Sequence, residues 1–237
     1  MGRTYGAHLH NSRPGGLIRP TAWRRRPSFS TQSIKTNPLP NPLTDIDQQK
    51  AAFRTTARDR RRIAAEDAGP DASTRLAGHI DTVLSSRPAG VISGYLPIAD
   101  EMDPLAVMRA LAGAGWTLAL PVVSGKGVAL TFRQWRDGDP LEPGSLRTRH
   151  PRPSAPEVRP DVLLVPLLAF DARGQRMGWG GGFYDRTLLG LRAEKQILAL
   201  GVAYAGQRVD KVPSGPHDVP LDAVVTDAGV NWIQEQA

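Results

Sequence analysis

Two rhythms alternate along this chain. Runs that are apolar almost throughout fall at residues 91–96, 116–123, 162–168, 196–204 and 223–226. They are too short to span a membrane, and they are apolar on successive positions. That pattern predicts strands covered on both faces, not strands with one wet side. Between them lie stretches with helical spacing, at 47–67, 72–85, 105–112 and 184–192. Thr44 or Asp45 can cap the first, and Gly69-Pro70 ends it, since glycine takes left-handed backbone readily and proline has no N–H to continue the ladder. Asp103-Pro104 supplies a cap and a first-turn proline for the third. A further apolar run at 128–132 follows the turn Ser124-Gly125-Lys126-Gly127, which predicts a hairpin with 116–123. Covered strands separated by helices predict an α/β fold in three layers: an open, mostly parallel sheet, mixed because of the hairpin, with helices on both faces. Residues 136–159, rich in proline, read as a long surface excursion of the kind that serves as a lid.

One stretch breaks both rhythms. Gly174-Gln175-Arg176-Met177-Gly178-Trp179-Gly180-Gly181-Gly182-Phe183-Tyr184-Asp185-Arg186 suits a loop that takes positive φ and approaches something closely. It lies between an apolar strand and a helix start, the arrangement that turns backbone N–H groups and a helix dipole toward a phosphate. Arg176 adds a cation, and Asp185 a hard oxygen for the Mg²⁺ that accompanies nucleotide phosphates. The stretch is neither a Walker A loop nor a G-x-G-x-x-G turn. A structural alternative stands beside this, with Phe183 and Tyr184 as core aromatics and Asp185 as a carboxylate favoured by the helix dipole. On the first helix Lys50 and Arg54 share a face, continued by Arg58 and by Arg61 or Arg62. Like charges four apart cost a few tenths of a kcal/mol each. A bound anion would offset that repulsion; a solvated basic face is the plainer alternative. In open α/β sheets ligands gather at the carboxyl ends of the strands. Glu101, residues 176–185 and His217-Asp218 all fall at or near such ends.

Composition narrows the chemistry. The 237 residues suffice for one large α/β domain or two small ones. With no cysteine, disulfides, thiolate nucleophiles and Cys-ligated zinc are excluded, and the five histidines offer no metal-binding spacing in a folded segment. No apolar run reaches the length of a membrane span. The net charge of +7 is misleading, because seven of the 30 basic residues and no Asp or Glu lie in 1–44, leaving 23 of each sign beyond it. An argument for nucleic-acid binding would rest on that tail alone, so nucleic acid is not an expected partner. Residues 1–45 are expected to be a disordered basic extension, poor in bulky apolar side chains, and 46–237 the folded domain. Arg24-Arg25-Arg26-Pro27-Ser28-Phe29-Ser30-Thr31 makes a transit peptide an alternative, and a basic arm for a polyanion is another.

Five segments in this order resemble the 5-formyltetrahydrofolate cyclo-ligase (methenyltetrahydrofolate synthetase) family, over nearly everything after the tail. They are Lys50-Ala51-Ala52-Phe53-Arg54, Tyr95 through Asp103, Val165 through Asp171, Gly174 through Asp185, and His217-Asp218-Val219-Pro220-Leu221-Asp222. The resemblance implies conversion of 5-formyltetrahydrofolate to 5,10-methenyltetrahydrofolate with Mg-ATP. Carried over by position, Lys50, Arg54 and Arg176 hold ATP phosphates and act in the reaction. Met177, Gly178, Trp179, Gly180, Gly181, Gly182, Phe183 and Tyr184 wrap the nucleotide. Leu96, Glu101, Trp179 and Phe183 border the folate, and Asp185 and Asp222 hold Mg²⁺. A monomer in the cytoplasm is expected, or in the mitochondrion if the tail is a transit peptide. Trp179 stands where many relatives have Tyr or Arg, and Phe183 where many have Tyr. The rivals are a non-catalytic folate- or nucleotide-binding relative with an RNA-binding tail, and a ligase of the same fold with another substrate.

Overall fold

The computed structural model describes residues 42–145 and 148–234, so the expected extension lies almost wholly outside the described residues. Its architecture follows from the side-chain alternation within the apolar strands. In β6 (Val162–Pro166), Val162 and Leu164 point to one side of the sheet and Leu163 and Val165 to the other, and none is exposed. In β9 (Leu198–Val202), Leu198, Leu200 and Val202 join the first side and Ala199 the second. Helices α2 (Ala72–Leu84) and α3 (Leu105–Gly113) cover the first side through Leu76, Ile80, Val107 and Met108. Helix α4 (Phe183–Glu194) covers the second through Leu188 and Leu191. Two layers of helix over one sheet is the expected α/β arrangement.

Seven strands form the sheet, in the order β11-β10-β9-β6-β1-β2-β3. The five central ones, from β10 (Ala223–Thr226) to β2 (Thr117–Val122), run parallel. Both edges are antiparallel: β3 (Thr131–Gln134) is the expected hairpin return, and β11 (Gly229–Trp232) pairs with β10. The chain leaves β1 (Val91–Ser93) toward β2, then re-enters on the other side at β6 and continues outward to β9 and β10. The crevice above β1 and β6 is therefore the topological switch point, where open α/β sheets hold ligands.

Several boundaries differ from expectation. Helix α1 runs Pro42–Ala68, starting before Asp47 and crossing the expected boundary at 45/46. Proline is tolerated in a first helical turn, whose N–H groups have no intrahelical acceptor. Pro104, not Asp103, occupies the cap of α3, while the Asp103 carboxylate accepts the Leu105 N–H at 2.8 Å. Residues 136–159 are no open lid. They carry the hairpin β4 (Leu141–Pro143) and β5 (Arg149–Pro151), and Val158 N–H and the Arg133 guanidinium tie the return to β3. Between β6 and the glycine stretch lies a second small hairpin, β7 (Ala169–Phe170) with β8 (Arg176–Met177), so Arg176 and Met177 sit on a strand, not in the loop. The β7–β8 turn is fixed by Asp171, wholly buried, which accepts from Arg173 and from the Val212 N–H.

Candidate active site

Three segments converge above the switch point: the exit of β1, the stretch from β8 into α4, and one face of α1. Helix α1 lies over the β7–β8 hairpin, its Ala57 and Phe53 packed against Leu168, Ala169 and Met177. That contact turns Lys50, Arg54, Arg58 and Arg61 toward the glycine stretch. The four lie along one side of a helix rising 1.5 Å per residue, so about 16 Å separates first from last.

Each of the four meets a different partner. Lys50 Nζ is 2.5 Å from Asp218 Oδ2, and the Gly215 N–H donates to the same oxygen. Arg54 Nε donates to the Gly178 carbonyl at 3.2 Å. The Arg54 guanidinium lies so close over Gly180, whose φ is +99°, that a Cβ there would meet Cζ at 3.0 Å. Arg58 and Arg61 lie 5.3 and 5.2 Å from the centroid of the Trp179 ring, within cation–π range. Arg61 is buried, and its two terminal nitrogens reach Asp100 Oδ1 at 2.8 Å and Glu101 Oε1 at 3.4 Å.

Beneath this face, β8 carries Arg176, whose side chain is 5% exposed. Its guanidinium donates to the Asp185 carboxylate at 2.7 Å and to the Val219 carbonyl. Burial pushes Arg176 below its ordinary value, and the charges of Asp185 and Asp218 restore part of that loss. Asp185, in the first turn of α4, also accepts the Val219 N–H at 3.1 Å. Burial, with Glu101 as a second cause, pushes the Tyr184 phenol well above its usual range, so it stays a neutral donor. Glu101 is almost fully buried, accepting from Ile98 N–H at 2.9 Å through one oxygen and from Trp179 Nε1 at 2.9 Å through the other. The turn that presents it includes Ala99 at φ +55°, the one non-glycine residue with positive φ among those described.

The structure thus brings together Lys50, Arg54, Arg176, Asp185, Glu101 and the loop from Gly178 to Gly182. Leu96 is partly buried against the core beside the Glu101 turn. Four other expected residues make contacts of their own. The Met177 side chain is buried against α1 and Val212. The rings of Phe183 and Tyr184, partly buried, pack on the α4 side of the sheet, and both open α4 next to the glycines. Asp222 stands at the entry of β10, where one oxygen accepts from Arg192 at 2.8 Å and the other from Ala199 N–H at 2.6 Å. Arg192 lies in the last turn of α4 and Asp185 in the first. Asp222 is therefore a brace at the far end of that helix, and the carboxylate that shares the Lys50–Arg176 cluster is Asp218. Sequence reading left Asp218 without a role and did not see that Arg61 is the buried member of the run Arg60-Arg61-Arg62. Among the described residues no group of three or more His, Cys, Asp or Glu side chains converges as a metal centre.

Buried cations, neighbouring carboxylates and a close-approach glycine loop thus meet at the switch point of an α/β fold. More specifically, the chain belongs to the 5-formyltetrahydrofolate cyclo-ligase family, whose model matches residues 46–227, and is an enzyme of that family. It is 34% identical over 170 residues to the 5-formyltetrahydrofolate cyclo-ligase of Escherichia coli K12, covering 70% of this chain and 91% of the relative. To the protein of that name from Mycolicibacterium smegmatis it is 31% identical over 188 residues, covering 76% of this chain and 94% of the relative. The fold matches that of a 5,10-methenyltetrahydrofolate synthetase from Mycoplasma pneumoniae with a TM-score of 0.57, at 23% identity over 75% of this chain and 98% of the other.

Proposed function

We propose that this chain converts 5-formyltetrahydrofolate to 5,10-methenyltetrahydrofolate using ATP and Mg²⁺, and that both substrates meet on the α1 face. One observation carries the proposal: at one end of that face Lys50, Arg54 and Arg176 meet Asp218, the Gly178 carbonyl and Asp185, while the buried carboxylate of Glu101 lies at the other. The first end suits an anion and the second suits paired N–H donors such as those of a pterin ring.

Lys50, Arg54 and Arg176, with the N–H groups of the loop, would hold the nucleotide phosphates. Asp185 and Asp218 would hold Mg²⁺, in place of the Asp185 and Asp222 expected from sequence. Two carboxylates beside phosphate-binding cations fit this ion, which keeps several waters and is bound through one or two carboxylates plus substrate phosphates. When bound, it neutralises charge developing on the transferred phosphoryl group. The formyl oxygen is a poor leaving group until phosphorylated; ring closure by N10 then expels phosphate. None of this needs a nucleophilic side chain. The cations fix the phosphates in line with the formyl oxygen and, being already in place, stabilise the charge that develops on transfer.

The test is the near-ultraviolet absorbance of the methenyl product, followed with purified protein, 5-formyltetrahydrofolate and Mg²⁺, with and without ATP. Growth of the chromophore only with ATP is expected. A flat trace from folded protein would overturn the proposal.

A further inference from the structure

We propose that Arg61 is a positioning residue for folate: it fixes the carboxylate of Glu101 and seats the Trp179 ring against it. The inference deepens the reading of Glu101 as the pterin-binding carboxylate and rests on it.

A guanidinium with 2% exposure is unusual, because charge is costly to bury unless paired. Here it is paired twice, and the fork geometry explains why the residue is arginine. One nitrogen reaches Asp100 and the other Glu101, so two adjacent carboxylates on one turn are gripped by a single planar group. That turn needs a grip. Ala99 holds φ +55°, a conformation unfavourable for a residue with a Cβ, and it sits directly before the two acids in a turn closed by the Ile98–Glu101 hydrogen bond. The face of the same guanidinium lies 5.2 Å from the Trp179 ring, whose N–H reaches Glu101 Oε1. Arg61 thus contacts both partners of the Trp179–Glu101 hydrogen bond as well as the turn that carries one of them. Its Nε is buried with no partner among the described groups, which argues against a side chain selected for stability alone. A purely structural plug at this point in α1 would be better served by an apolar side chain.

The experiment compares Arg61→Met and Arg61→Lys with the unaltered protein. Melting curves confirm that each is folded, and KM is determined separately for 5-formyltetrahydrofolate and for ATP. Without the fork, the folate KM is expected to rise at least about tenfold in Arg61→Met, with the ATP KM held within about threefold. Arg61→Lys keeps the charge but cannot bridge both acids, and its folate KM is expected to fall between. In a Glu101→Gln background the Arg61→Met change should add little, since both act through one carboxylate. A second readout needs no ligand: acrylamide quenching of the Trp179 emission, isolated by difference from Trp179→Phe, should increase in Arg61→Met. A folate KM that stays within about twofold of the unaltered value, or that rises in step with the ATP KM, would overturn the proposal. Failure of the functional reading is distinguishable, because the unaltered protein itself would then make no methenyl product.

Discussion

Gly180→Ala isolates what the glycine loop contributes. The native φ of +99° lies beyond the left-handed helical region that alanine occasionally visits, and holding such backbone costs roughly 1–3 kcal/mol. The new methyl would stand 3.0 Å from Arg54 Cζ and 3.1 Å from Nη2, tighter than side chains ordinarily pack, so the guanidinium must retreat. Retreat breaks the 3.2 Å hydrogen bond to the Gly178 carbonyl, worth about 1.5–3 kcal/mol when the donor is charged. Part of this total appears as lost stability and part as lost affinity. We expect the melting temperature to fall by about 4–8 °C, corresponding to about 2 kcal/mol in a domain of this size. We expect the ATP KM to rise about tenfold, the folate KM much less. Two comparisons sharpen the result. Gly178 has no positive φ and nothing within 4 Å of the point where a Cβ would stand, so Gly178→Ala should weaken ATP less than Gly180→Ala does. Gly190, exposed in α4 with open space around it, should stabilise the protein by about 0.5–1 kcal/mol when changed to alanine. Equal losses of ATP affinity in Gly178→Ala and Gly180→Ala would refute the close-approach reasoning, because loop flexibility would then be what matters.

Asp171 makes stability depend on acidity. Burial alone would raise this carboxyl, but the bond from Arg173, the Val212 and Arg173 N–H groups and the charge of Arg173 together bring it below its ordinary value. A depressed carboxyl stabilises the fold fully above its unfolded value, about 4, and loses that contribution as pH falls through the lower folded value. Asp171→Asn should therefore be destabilising near neutrality by urea titration, with the gap from the unaltered protein narrowing below about pH 4; a gap independent of pH would contradict this. Asp218→Asn should raise the Mg²⁺ concentration needed for half-maximal turnover far more than Asp222→Asn, which should mainly lower the melting temperature by releasing Arg192. The opposite ranking would return the metal role to Asp222.

The buried strands and most helices were legible because burial on both faces leaves a sequence with no polar interruptions, as in β6 and β9. The two small hairpins were not. β7 and β8 are two residues each, too short for any period, and β4 and β5 lie among prolines that read as loop. β11 escaped notice because an edge strand with a glycine, a polar Asn231 and an exposed Trp232 lacks the apolar run of its neighbours. Within the site, the glycine loop and the Lys50–Arg54 face stood out by composition and spacing. Asp222 was given the metal by position alone and Asp218 nothing, since two aspartates near a strand entry look alike until the chain is folded. The structure separates them by partner, Lys50 for one and Arg192 for the other. Arg61 was hidden for a related reason. In a run of three arginines, one residue of register decides which is buried, and the helix turns by about 100° per residue.

That angular step gives α1 a property that no loop-built site has. The cations facing Asp218, Gly178, Trp179 and Glu101 are graduations on one rigid rod. Their separation is set by backbone hydrogen bonds within the helix, independent of how the loops below relax. Substitutions elsewhere on the rod are readily absorbed, but a single inserted or deleted residue between Lys50 and Arg61 would swing one end of the scale about a quarter-turn away from the other. The distance between the two ends of the crevice is thus inherited as a length of helix, and lineages can vary what each graduation reads far more easily than they can vary the spacing.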